Sequence, residues 1–336
     1  QMHNHINAEV ASGSITSIAD CVEWISYTYL FRRLIANPSY YGLSATDSNV
    51  VEQHLTKLIT SVVEDLDKAG CVKVTDECYV TSTSFGSVAS FYYLDWRSIA
   101  LIRKRLDTWH VHGINNSTNA VVTLASINSS SESSTISTTF GDAIEGNKDY
   151  TNNIPAASAS SLAQFQALMQ LVSDCQEFAE LPVRHNEEIL NGQLAEDCPW
   201  PVDPDLLDSA HCKTYLLIQA YLYRINLPIS DYINDTKSVI DQLPRVVNAI
   251  MDIGRDRRIP WLITSCSIAQ QTIVQALPPD ADSSRLLKQL PYMSDIYVKA
   301  LRKASINNLY QLSLMSEEQR RQTLVNVLNI DKSNGC

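Results

Sequence analysis

The densest polar cluster in the chain is Arg184-His185-Asn186-Glu187-Glu188, set between Pro182 and the segment ILNGQLAEDC. A helix is expected to open here, with Arg184, His185 and Glu188 on its first turn. His185 and Glu188 stand three residues apart, a spacing that puts two potential metal ligands on one helical face. A di-metal helical bundle needs such a pair on two helices plus two more carboxylates. No second His-x-x-Glu or Glu-x-x-His pair stands in the other bundle segments, so no metal is expected. Two readings of the cluster stay open on the residues alone. One is an arginine–glutamate network that caps the helix. The other is contact with a nucleic-acid strand, in which Arg184 pairs with a phosphate or stacks on a base and His185 stacks beside it.

Other catalytic signatures are missing. No G-x-x-x-x-G-K-[ST], no G-x-S-x-G and no H-E-x-x-H occurs, and only 10 glycines are present to build phosphate loops. No acid–base constellation can be assembled, so no catalytic residue is expected. The net charge of -11 argues against a simple basic nucleic-acid binder. The eight cysteines are scattered without a CxxC, as in a chain that builds its core without disulfides. The N-terminal QMHNHINAEV lacks the apolar stretch of a signal peptide, and no run approaches a membrane span. A nuclear or cytoplasmic setting, with no membrane partner, is expected. The chain opens on Gln1 rather than Met, as a piece of a longer protein would.

The elements that must position the cluster are mainly helical. Ser17 and Asp20 form a cap signature for a helix that carries Arg32 and Arg33 near its end and stops before Pro38. Tyr40, Tyr41 and Gly42 then close the stretch. A second helix is expected from about Val50 to Ala69, with Gly70 as its cap. The runs CVKV (71–74) and CYVTS (78–82) around TDE read as a hairpin, which suggests a winged helix. One helix is expected from Phe85 to Leu106, with Gly86 and Ala89 allowing close packing. Residues 111–160 are polar, rich in Ser, Thr and Asn, and aperiodic. They read as a disordered insertion flanked by His110 and His112. Helical periodicity resumes at Leu162, and CKTYLLIQAYLYRIN (212–226) is apolar on nearly every side, which marks a buried helix. Stripes through Val239, Leu243, Val247 and Ile250, and through Leu262, Cys266, Ala269 and Ile273, complete a bundle. A kink is expected at Pro244. The tail from 290 is basic and carries two or three short helices. Its turn at Ser305-Ile306 reads either as a helix-hairpin-helix offering backbone N–H groups to phosphate or as a solvated basic face.

Several strings together are similar to one family: HNHINAEVASGSI (3–15), WISYTYLFRRLIANPSYYGL (24–43), SFGSVASFYYLDW (84–96), LPVRHNEE (181–188), KTYLLIQAYLYRINLP (213–228) and DTKSVIDQLPRVVNAIMDI (235–253). Their order resembles the winged helix and Sec sixty-three homology unit that close a helicase cassette of the Ski-type group of superfamily 2. The strings ITS (15–17), RRLIANPSYYGL and LPVRHNEE resemble the signal-cointegrator and ribosome-quality-control branch more than the spliceosomal one.

The resemblance implies a linker from a motor domain at 1–15, a winged helix at 16–84, a helical bundle at 85–289 and a helix-loop-helix at 290–336. It implies that Arg184 opens a ratchet helix facing single-stranded RNA or DNA, with His185 and Glu188 beside it, and that Arg302 and Lys303 touch strand backbone. Arg32, Arg33, Tyr40 and Tyr41 become docking residues for helicase motor domains. ATP and Mg would belong to those motor domains, which this chain lacks, so no cofactor and no catalysis of its own are implied. The alternative is an interaction platform that binds other subunits of a helicase complex and no nucleic acid.

Overall fold

The computed structural model describes residues 2–43, 48–75, 78–112, 159–281, 285–290 and 293–328. The architecture is mainly α, with one two-stranded sheet among the described residues. Helix α1 (Met2–Ser12) buries Ile6, Asn7 and Val10. Residues 2–15, which fall in the stretch 1–15 expected to be a linker, are therefore part of the packed body. Their polar residues fasten them in place. His3 stacks on Trp96 at 4.7 Å and meets Asp65 at 3.2 Å, and Asn4 Oδ1 accepts from the Trp96 N–H at 3.0 Å.

Ser17 and Asp20 form the capping box expected at the start of α2 (Ile18–Ser26). The single helix expected through Arg33 is broken at Tyr27-Thr28, and α3 (Tyr29–Ala36) follows. Thr28 is extended there, and its hydroxyl donates to the Ile25 carbonyl at 2.7 Å. A short 3-10 turn over Pro38–Tyr41 leads to Gly42, which takes a left-handed conformation. Helix α4 (Ser48–Ala69) presents Val51, Leu55, Val62 and Leu66 to the core, and Gly70 at φ +84 ends it. Strands β1 (Val72–Val74) and β2 (Val80–Ser82) pair antiparallel, with Lys73 opposite Thr81. The Val80 N–H reaches the Thr16 carbonyl at 2.8 Å, which ties the segment before α2 to the hairpin.

The helix expected over 85–106 is two helices, α5 (Ser84–Tyr92) and α6 (Trp96–His112). Tyr93, left-handed at φ 53, makes the break. The open N-terminus of α6 is served by Glu177, which accepts from the Asp95 N–H at 2.8 Å and the Ser98 hydroxyl at 2.6 Å. Gly86 fits against the chain so closely that a Cβ there would lie 1.9 Å from the Cys71 carbonyl oxygen. The insertion expected at 111–160 lies outside the described residues except at its edges, where 111–112 and 159–160 belong to helix ends.

The bundle comprises α7 (Ala159–Ser173), α8 (Glu187–Asp197), α9 (Ala210–Tyr223), α10 (Asp231–Asp256) and α11 (Pro260–Gln275). Every residue of α9 from Lys213 to Ala220 is buried, as its all-round apolar sequence predicts. Helix α10 runs through Pro244 as a single element. One continuous core joins the winged helix to the bundle. Polar contacts reinforce the seam: the Tyr92 hydroxyl donates to Asp252 at 2.7 Å and the Ser84 hydroxyl to Asp256 at 2.7 Å. A separate small core of Leu287, Val298, Leu301, Ile306 and Leu312 holds α12 (Asp295–Lys303), α13 (Leu309–Leu314) and α14 (Glu317–Leu328).

Candidate nucleic-acid interface

Arg184 and His185 precede the helix rather than lie on its first turn, because α8 begins at Glu187 after a left-handed Asn186 at φ 66. The turn is closed by the Glu187 N–H donating to the Arg184 carbonyl at 3.1 Å. Glu188 is on the first turn. His185 and Glu188 are exposed, whereas Glu187 is only 2 % exposed. Among the described residues no cluster of metal-ligating side chains is assembled.

Arg184 is held by carboxylates. Its Nη1 donates to Glu187 Oε1 at 2.7 Å and to Asp235 Oδ2 at 3.0 Å, and its Nε lies 3.6 Å from Asp231. Behind it sits Lys213, with no exposed surface. Its Nζ reaches Glu187 Oε2, Asp235 Oδ2 and the Pro182 carbonyl, each at 2.7 Å. The ammonium also lies 4.6 Å from the Tyr232 ring centre. Burial works against ionisation of Glu187 and Asp235. Hydrogen bonds from Lys213 and Arg184 outweigh it and hold both carboxyls below their ordinary values. The same bonds raise Arg184 further, so it is always charged. The cluster is thus an ion network that fixes the Pro182–Asn186 turn against α9 and α10. The side chain of Arg184 stays 42 % exposed, and its Nη2 has no hydrogen-bond partner among the described residues.

The network lies at one end of a track along α10. Asp231, Asp235, Ser238, Gln242 and Arg245 follow one another at helical spacing on one face. Beside this face is a groove of about 210 Å³ lined by Glu177, Glu180, Leu181, Pro182, Ser238 and Gln242. At its far end Arg245 donates to Gln242 at 3.1 Å and to the Tyr93 carbonyl at 3.0 Å. Tyr93 is 84 % exposed, and Phe91 beside it is 74 % exposed. The sequence reading did not single out Lys213, Asp235, Gln242 or Arg245. Lys213 carried a signal, since it is a lone lysine in an otherwise apolar helix and so must find buried partners.

The remaining expected residues lie elsewhere. Arg302 and Lys303 are exposed at the C-terminal turn of α12, where their charge complements the helix end. The hairpin after them uses its own backbone donors. The Ala304, Ser305 and Ile306 N–H groups bond to the Ala300, Arg302 and Leu301 carbonyls, and the Asn307 N–H donates to Gln311 at 2.7 Å. That turn therefore does not present a row of free N–H groups to phosphate. Arg32, Arg33 and Tyr40 are exposed, with Tyr27 and Tyr29 close by in sequence. Tyr41 is half-buried and meets Tyr40 edge-on at 5.0 Å. The outer face of α4 mixes Glu52, Glu64 and Asp67 with Lys57 and Lys68, so it offers no basic strip for a duplex. Among the described residues no helix is long and apolar enough to cross a membrane.

Comparison with known proteins accords with this architecture. Residues 1–76 match a family described as a winged helix-turn-helix domain, and residues 153–327 match the Sec63 Brl domain. The chain is 33% identical to the DExH-box ATP-dependent RNA helicase DExH14 of Arabidopsis thaliana, over 95% of this chain and 12% of the relative. It is 32% identical to the human activating signal cointegrator 1 complex subunit 3, over 82% of this chain and 10% of that protein. It is 23% identical to the human U5 small nuclear ribonucleoprotein 200 kDa helicase, over 96% of this chain and 12% of that protein. The chain thus spans only about a tenth of the length of these curated relatives. With just over half of its residues matched by the family model, the chain belongs to the Sec63 Brl domain family.

Proposed function

We propose that this chain is the non-motor part of an ATP-dependent RNA helicase cassette, and that its bundle forms a wall past which a single nucleic-acid strand runs. The observation that carries this reading is the track on α10, from the exposed edge of Arg184 through Ser238 and Gln242 to Arg245 and the exposed Tyr93. The groove is lined by Glu177 and Glu180 and holds few cations, so it suits contact with bases better than capture of phosphates. Stacking on Tyr93 and hydrogen bonds to Gln242 are sequence-tolerant contacts of the kind a moving strand needs. Affinity from this wall alone is weak, and the strand is retained by motor domains that enclose it. Those domains dock on the face bearing Arg32, Arg33, Tyr40 and the edge of Tyr41.

The ring of carboxylates around Arg184 also favours a second reading. With Glu187, Asp231 and Asp235 already in place, a phosphate gains little there, and a basic protein segment would be accepted instead. The two readings separate in a binding experiment with labelled single-stranded oligouridine at low salt. The strand reading expects binding that weakens in Arg245→Ala. Oligouridine that fails to bind the chain supports the platform.

A further inference from the structure

A second cavity, of about 270 Å³, lies away from the α10 track, between the C-terminal turn of α7, the loop 201–209 and the start of α9. Its walls are largely apolar, formed by Pro201, Val202, Tyr215 and the half-exposed Leu206 at the lip. Its polar lining includes two carboxylates, Asp174 and Asp203, with His211, Gln170 and two serines. Asp208, on the same loop, is exposed and outside the lining, and burial above all pushes the Cys212 thiol inside the cavity up to about 11. Asp174 uses one oxygen, Oδ2, to accept from Arg105 at 3.0 Å, and its Oδ1 has no hydrogen-bond partner among the described residues. His211 is occupied on Nδ1, which lies 2.8 Å from the Ser173 carbonyl oxygen. The loop DPDLLD (203–208) carries three carboxylates and no base. Arg105 compensates Asp174, so the unbalanced negative charge of the lining is that of Asp203.

We infer that this cavity is a docking pocket for a lysine side chain of a basic protein segment. An apolar stem that packs on Val202, Leu206 and Tyr215 and ends in a cation is the chemistry that satisfies both halves of the lining. A phosphate or a carboxylate would meet Asp203 and the open oxygen of Asp174. A purely apolar side chain would leave Asp203 desolvated and without a counter-charge. The pocket is independent of the strand track, since it shares no lining residue with the groove beside α10.

The test is titration of the isotope-labelled chain with N-acetyl-lysine amide and with N-acetyl-norleucine amide, which keeps the stem and lacks the ammonium. Resonances of Val202, Leu206 and Tyr215 are followed. The lysine probe is expected to shift them at concentrations about tenfold lower than the norleucine probe. Asp203→Asn, which retains an oxygen to accept from the Asp205 N–H, is expected to lower lysine affinity several-fold while the spectrum of the core stays unchanged. Equal affinity for the two probes, an unchanged affinity in the variant, or no shift at these residues overturns the assignment.

Discussion

Lys213 Nζ lies 2.7 Å from Asp235 Oδ2 inside the bundle, and the same oxygen accepts from Arg184 Nη1 at 3.0 Å. One carboxylate oxygen therefore links a fully buried cation to a half-exposed one. The geometry of the Arg184 edge is set from the core outward, through a helix (α9) that never reaches the surface track itself.

Removing Lys213 leaves Glu187 and Asp235 buried with only Arg184 to balance them. Lys213→Met is expected to cost about 3–5 kcal/mol of stability, as for other broken buried pairs. Urea denaturation followed by circular dichroism reads this directly. The triple variant Lys213→Met, Glu187→Gln, Asp235→Asn removes the uncompensated charges and should recover part of the loss.

The pH dependence has a definite sign. Glu187 and Asp235 ionise in the fold below their ordinary 4.5 and 3.8, so each contributes stability that is fully present above those values. That contribution is lost as pH falls through the depressed folded values. Urea midpoints measured between pH 6 and pH 3 should fall steeply at the acid end in the parent chain. In Lys213→Met the same fall should be shallower, because the Lys213 bonds are gone and only those from Arg184 still depress the two carboxyls.

Gly86 is required by close approach rather than by backbone angle. A methyl group there meets the Cys71 carbonyl oxygen at 1.9 Å and Asn7 Oδ1 at 2.8 Å. Gly86→Ala is expected to force α5 away from the hairpin at a cost of about 1–3 kcal/mol. A lowered melting temperature with loss of hydrogen-exchange protection at Cys71–Val74 would report it.

The exposed face of the winged helix should be separable from stability. Arg32→Ala and Tyr40→Ala are expected to leave the unfolding free energy within about 0.5 kcal/mol of the parent. Both should weaken co-purification with the motor domains of a cassette. Large destabilisation by either variant would make these residues part of the fold.

Much of the fold was legible in the sequence. The stripes of α4, α10 and α11, the all-round apolar α9 and the Ser17-Asp20 box each follow from local pattern. The breaks at Tyr27-Thr28 and at Tyr93 were not, because neither carries Gly or Pro. The first is closed by the Thr28 hydroxyl on the Ile25 carbonyl, and the second is fixed by a contact far along the chain, Arg245 holding the Tyr92 and Tyr93 carbonyls. For the same reason the cluster at 184–188 was legible as polar but not as a network. Its partners Lys213 and Asp235 are remote in sequence, and only the packing of three helices brings them together.

The central claim is that a strand runs along α10 between Arg184 and Arg245. The measurement that tests it most directly is fluorescence anisotropy of labelled oligouridine against the parent chain, Arg184→Ala and Arg245→Ala at 50 mM salt, about the lower end of the range where electrostatic contacts register. The account predicts weak binding with a shallow salt dependence, reduced several-fold in each variant. Identical binding by all three chains, or no binding at that salt, would contradict it.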